Sequence, residues 1–271
     1  MNIEARNNVR VTGDGPATLV FAHGFGCDQN MWRLVAPAFA DRYRVVLFDL
    51  VGSGGSDISS YDRAKYESLD GYADDLVDLI DAFGKGPVVF VGHSVSAMIG
   101  VLAGLKAPES IAAHVMIGPS PCYIDDGDYV GGFSRDDIVS LLETLDSNYL
   151  GWSRAMAPAI MGAPDRPELG AELTNSFCRT DPEIARQFAR VTFLSDSRRD
   201  LDRRVSPSLI LQCTEDIIAP VAVGEYVHRA LPRSTLRLID NVGHCPHLSA
   251  PQACIDAMND FLATVDLRDG R

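Results

Sequence analysis

The chain has 271 residues, 46% of them hydrophobic, enough for one large α/β domain or two small ones with a substantial core. Its 37 acidic against 24 basic side chains give a formal charge of -13, a surface that repels phosphate backbones and anionic lipid and so argues against nucleic acid or a membrane as partner. The start MNIEARNNVRV lacks the apolar core of a signal peptide, no apolar run reaches transmembrane length, and the six cysteines (27, 122, 178, 213, 245 and 254) form no C-x-x-C pair, which together point to reduced thiols in a cytoplasmic protein.

A polar N-terminal stretch with a hairpin leads into 17-ATLVFAHG-24, a short apolar run that reads as a buried strand. The segment 31-MWRLVAPAFA-40 has a helical pattern interrupted by Pro37. Next come strand 44-RVVLFDL-50, a glycine-rich loop and the amphipathic helix 69-LDGYADDLVDLIDAF-83. Strand 87-PVVFVGH-93 runs straight into helix 96-SAMIGVLAGLK-106, followed by strand 113-AHVMIG-118. Alternation at this spacing predicts a mostly parallel sheet flanked by helices, and near-continuous apolar strands fit a sheet buried on both faces.

The alternation then stops. Residues 125–196 show only helical patterns, at 136-DDIVSLLETLDSNYLGWSRAMAP-158, 166-RPELGAELTNSF-177 and 182-PEIARQFARVTFL-194. Strands resume at 208-SLILQC-213 and 235-TLRLI-239, and helix 251-PQACIDAMNDFLATV-265 follows. The expected organisation is a core of residues 1–124 and 197–271, with an inserted helical cap at 125–196. Such an insertion covers the crevice at the carboxyl ends of the strands, where open α/β sheets bind ligands.

One stretch carries the chemistry. In 90-FVGHSVSAMIG-100 a strand, a G-H-S-V turn and a helix place Ser94 where a nucleophile elbow would have it. The usual G-x-S-x-G pattern asks for glycine at position 96, where this chain has serine; its small side chain can still fit the crowded turn. Ser96, Gly100 and Gly104 form a small-residue stripe that lets the helix pack close to the sheet.

A serine nucleophile needs a base, and the base needs an orienting carboxylate. Asp216 follows one strand and His244 another, giving the order Ser, Asp, His with each residue at a strand end. Asp216 is preferred to Glu215 because a strand-end turn aims only one of the two at the base. His244 is preferred to His247 because Gly243 permits the presenting turn, whereas His247 follows Pro246 and opens the next element. The oxyanion donors expected are the backbone N–H of Val95 and that of Phe25 in 23-HGFG-26. This chemistry requires neither metal nor organic cofactor.

These stretches together resemble the α/β-hydrolases related to RsbQ, a bacterial stress-response regulator, and to the plant strigolactone and karrikin receptors. The resemblance rests on 23-HGFGCDQNMW-32, 48-FDLVGSGGSD-57, 69-LDGYADDL-76, 91-VGHSVSAMIG-100, 117-IGPSPCY-123, 131-GGF-133, 212-QCTEDIIAP-220 and 243-GHCPHLSAP-251. Inside the insertion, 176-SFCRTDPEIARQFARVTFLSD-196 is most similar to the RsbQ branch.

The resemblance implies an α/β-hydrolase fold, the triad Ser94, Asp216 and His244, and an apolar pocket lined by Phe133, Trp152, Met156 and Phe193. It also implies a serine hydrolase of a small apolar ester or lactone, with a signalling role through a protein partner. The same residues leave open a slow-turnover sensor and a carbon–carbon bond hydrolase. Met156 stands where the plant receptors have phenylalanine, and Ile217 and Ile218 where they are more polar, which argues against their ligand specificity.

Overall fold

A computed structural model describes residues 2–203 and 206–267. Seven strands form one sheet: β1 (Arg10–Thr12), β2 (Thr18–Ala22), β3 (Arg44–Phe48), β4 (Val88–His93), β5 (Ala113–Ile117), β6 (Ser208–Glu215) and β7 (Ser234–Val242). Their spatial order is β1-β3-β2-β4-β5-β6-β7. Only β1 is antiparallel, and it pairs with β3. The N-terminal stretch therefore makes no hairpin; a short helix, Ile3–Arg6, precedes β1 instead.

Every residue of β2, β4 and β5 is buried, because helices cover both faces. On one face Val20, Phe90 and Met116 pack with helices α1 (Leu69–Phe83) and α2 (Val95–Lys106). On the other, Leu19, Phe21, Val89 and Val91 meet the 3₁₀ turns Gln29–Trp32 and Ala36–Phe39 and the last helix. Those two turns replace the single helix expected over 31–40, since Pro37 has no amide proton to continue one. The small-residue stripe acts as expected: a Cβ on Gly100 would lie 2.3 Å from the Phe90 ring.

Among the described residues four helices of twelve or thirteen residues lie between β5 and β6, α3 (Arg135–Ser147), α4 (Tyr149–Met161), α5 (Pro167–Arg179) and α6 (Pro182–Phe193), followed by a single short turn of helix at Arg198–Leu201. The long pattern at 136–158 is two helices. Asn148, at φ -152°, ends α3 and caps α4 by accepting from the Gly151 N–H. Helix α7 (Val221–Ala230) goes beyond the elements legible in the sequence, and α8 (Pro251–Leu262) follows β7.

Strand order fixes where a site can form. The chain leaves β2 to one side for β3 and returns on the other side for β4. The crevice outside the carboxyl ends of β2 and β4 is therefore the switch point of the sheet. Register brings the two ends level, with Ala22 opposite Gly92.

Candidate active site

Strand β4 ends at His93 and α2 begins at Val95, which leaves Ser94 alone to make the turn. It does so at φ 56°, ψ -125°, a conformation that costs a non-glycine residue roughly 1–3 kcal/mol. The surroundings hold it there: the Ser94 N–H donates to the Ile117 carbonyl at 2.8 Å, and its own carbonyl accepts from the Ala97 N–H at 2.9 Å. Gly92 has no room for a side chain, since a Cβ would lie 2.7 Å from the Ser96 main chain. Ser96 does more than stay small, for its hydroxyl donates to the His23 carbonyl at 2.5 Å and ties the helix to the end of β2.

His244 follows β7 on a turn made by Gly243, whose φ is 99°. Its main chain is anchored to the helical segment, the His244 N–H donating to the Ile160 carbonyl of α4 at 2.8 Å. Asp216 follows β6. One carboxylate oxygen accepts from the N–H groups of Ile218 (2.8 Å) and Ala219 (3.1 Å). The other lies 2.6 Å from His244 Nδ1. A carboxylate only accepts, so the proton sits on Nδ1, and Nε2 offers its lone pair to the Ser94 hydroxyl at 2.8 Å. All three side chains are buried. Glu215 is exposed, and only its main-chain carbonyl takes part, accepting from the Gly243 N–H. His247 lies outside this chain of hydrogen bonds, packed against Trp32 with ring centroids 4.7 Å apart and the planes tilted by 33°.

The serine opens into a cavity of about 30 Å³ between the sheet and the four helices. Phe25, Trp152, Met156 and Phe193 line it. Phe133 does not. Its backbone is hydrogen-bonded to Tyr123 and Asp125, its side chain is only half-buried, and the lining aromatic from this segment is Tyr123. Burial pushes the Tyr123 phenol up to about 12 and raises the Cys27 thiol. Cys27, Phe177 and Cys245 also reach the cavity; sequence alone cannot single them out, because their places depend on how the helices dock.

Phe25 joins the two layers. It sits in the loop after β2, while its ring packs at 5.7–6.2 Å against Trp152, Phe177, Phe188 and Phe193 of the helices. The same loop is gripped from α5 by Ser176, which donates to the Gly26 carbonyl at 2.9 Å, and by Arg179, which pairs with Asp28 at 2.8 Å. Val95, first residue of α2, has a backbone N–H among those a helix start leaves without an intrahelical acceptor.

Residues 19–257 match the model of the alpha/beta hydrolase family. The chain is 39% identical over 251 residues to a strigolactone esterase of Arabidopsis thaliana, covering 92% of this chain and 94% of that protein. It is 37% identical over 257 residues to a karrikin insensitive 2 receptor of Petunia hybrida, covering 94% and 95%. The structure is similar to that of a hydrolase from Oleispira antarctica, with TM-score 0.94, 42% identity and 97% of each chain covered. With its mostly parallel seven-stranded sheet, flanking helices and strand-end serine, the chain belongs to the alpha/beta hydrolase family.

Proposed function

We propose that the protein is a serine hydrolase of a small, largely apolar ester or lactone. Ser94 attacks the carbonyl carbon as His244 Nε2 takes the hydroxyl proton, and Asp216 holds the imidazole in the required tautomer. The backbone N–H groups of Phe25 and Val95 stabilise the oxyanion. His244 then returns its proton to the leaving oxygen, and water releases the acyl group by the same route. No step in this sequence needs a metal or organic cofactor. The observation that carries the reading is the unbroken path from Asp216 through His244 to Ser94 at the floor of an apolar cavity.

Turnover of short p-nitrophenyl esters tests it. Ser94→Ala lowers kcat by about 10⁵–10⁶-fold with the thermal melt retained. Unchanged turnover would remove Ser94 as nucleophile. A substrate panel that includes β-diketones separates ester from carbon–carbon bond hydrolysis.

A second reading is that of a slow small-molecule sensor acting through a protein partner, as the resemblance to the RsbQ branch implies. Two observations favour it: the receptor and esterase names of the relatives, and a cavity far below the roughly 300 Å³ of ordinary ligand pockets. Binding must then move the helices, and that movement is a signal a partner can detect. We place the protein in a reducing, cytoplasmic setting. Its six free thiols support this, and among the described residues no helix is long and apolar enough to cross a membrane.

A further inference from the structure

Behind Ser94 lie three side chains that the hydrolytic mechanism does not use. His93, Cys245 and His247 are all buried, and their ligand atoms, one nitrogen from each histidine and the Cys245 sulfur, lie within 4.8 Å of one another. His93 Nε2 is 2.9 Å from the His244 carbonyl. A carbonyl only accepts, so Nε2 carries the proton and Nδ1 presents a lone pair. That Nδ1 has no hydrogen-bond partner among the described residues, and neither has either ring nitrogen of His247.

Unpartnered buried polar atoms cost roughly 1–3 kcal/mol each, so three gathered in one place call for an occupant. Gly24 leaves His93 Nδ1 uncovered by a side chain, since a Cβ there would lie 2.7 Å from it. Burial first, then the neighbouring histidines His247 and His244, holds His93 well below the ordinary histidine range. Burial also lowers His247 to about 3.

We propose that His93 Nδ1, one ring nitrogen of His247 and the Cys245 sulfur form a site for one zinc-class cation directly behind the nucleophile elbow. Two imidazoles and a thiol select a borderline or soft ion over magnesium or calcium. One nitrogen of each histidine and the Cys245 sulfur, no more than 4.8 Å apart, share a point about 2.8 Å or less from each (4.8 divided by √3). That is at most roughly 0.5 Å outside a zinc–sulfur bond of about 2.3 Å and roughly 0.8 Å outside a zinc–nitrogen bond of about 2.0 Å, gaps that side-chain rotations close. The bond from His93 Nε2 to a backbone carbonyl is the outer contact by which metal-bound histidines fix their tautomer. On binding, the Cys245 S–H bond breaks, its proton passes to solvent, and the sulfur pair forms the zinc–sulfur bond. The imidazoles donate lone pairs and lose no proton. His93 and Cys245 border the cavity, which gives the ion its way in. Both also adjoin the His244 main chain, so drawing them together displaces the base and slows hydrolysis.

The test loads the full chain with one equivalent of zinc, removes free metal by gel filtration and measures retained zinc; cobalt loading gives an independent spectrum. Expected are one zinc per chain and a thiolate-to-cobalt charge-transfer band. Both should fall at least tenfold in Cys245→Ser and in His247→Gln, with thermal melts reporting folding. Zinc should also lower ester turnover at least tenfold in the unaltered chain and less than twofold in Cys245→Ser. Failure of the unaltered chain to retain zinc, or equal retention by a folded Cys245→Ser, overturns the site. Equal zinc inhibition of both chains also overturns it, by placing the ion on His244. If neither variant folds, absence of the cobalt–thiolate band in the unaltered chain overturns it. Metal retention is read without any substrate, so its failure is distinct from failure of the hydrolase reading.

Discussion

The sheet and the four helices above it border the same cavity but are held by different forces. Strands β2, β4 and β5 are buried along their whole length, and the turns that carry Ser94, Asp216 and His244 are fixed by short hydrogen bonds to main-chain atoms. The helices bury one stripe each, as α6 does with Ile184, Ala185, Phe188, Ala189, Thr192 and Phe193. Several of their links to the core are half-exposed polar contacts, such as Arg33 with Glu172 and Gln187 with the carbonyls of residues 63 and 66. Exposed ion pairs contribute only about 0–1 kcal/mol. Under the proposed mechanism the reacting groups are thus set in the more tightly held layer, and the shape of the cavity around them is set in the more loosely held one.

Substitutions in the two layers should therefore separate in kinetics. The largest effect after loss of the serine is expected from Asp216→Asn, which keeps the shape but spoils the tautomer: kcat falls roughly 10⁴-fold in steady-state ester assays. A fall below tenfold would show that the loop, not the carboxylate, orients His244. Gly118→Ala comes next. Gly118 has φ +55°, and a Cβ would lie 2.9 Å from His244 Cε1. Displacing the imidazole by that contact lowers kcat on the order of 10²-fold, and calorimetry should show a loss of about 1–3 kcal/mol.

Leu173→Ala probes the other layer. Leu173 is fully buried on α5 and lines the cavity. Its truncation should cost about 2–5 kcal/mol in a thermal melt and lower KM for longer acyl chains, with kcat changed less than about threefold. A large fall in kcat instead would join the layers that the comparison separates. The smallest effect is expected from Ser96→Ala: roughly 1–3 kcal/mol for the unpaired His23 carbonyl, seen in a chemical melt, and turnover within about threefold.

The same division explains what the sequence made legible. Strand runs and strand-end residues are local signals, so the elbow at Ser94 and the placement of Asp216 and His244 could be read from residue type, order and flanking glycines. The distinction between Asp216 and Glu215 was legible for the same reason, since one turn exposes one of two neighbours. Cavity lining is not local. Whether Phe133 or Tyr123 reaches the space depends on how the segment 123–133 folds back on itself, and no periodicity encodes that. Cys245 carries no pattern of its own beside His244. The break at Asn148 was hidden because apolar spacing runs through it, while the backbone change there depends on a side-chain cap. The bond from Ser96 to His23 joins residues 73 positions apart, beyond any local motif.

The loop that carries Phe25 belongs to both layers, with its main chain beside the elbow and its ring among the aromatics of the four helices. Under the proposed mechanism this makes cap position and oxyanion affinity thermodynamically linked. Such linkage is reciprocal, so whatever loosens α5 weakens the hold on the developing charge, and a bound transition-state analogue tightens α5 by an equal free energy. A protein that recognised the tightened cap would be reading the progress of the reaction rather than the mere presence of a ligand.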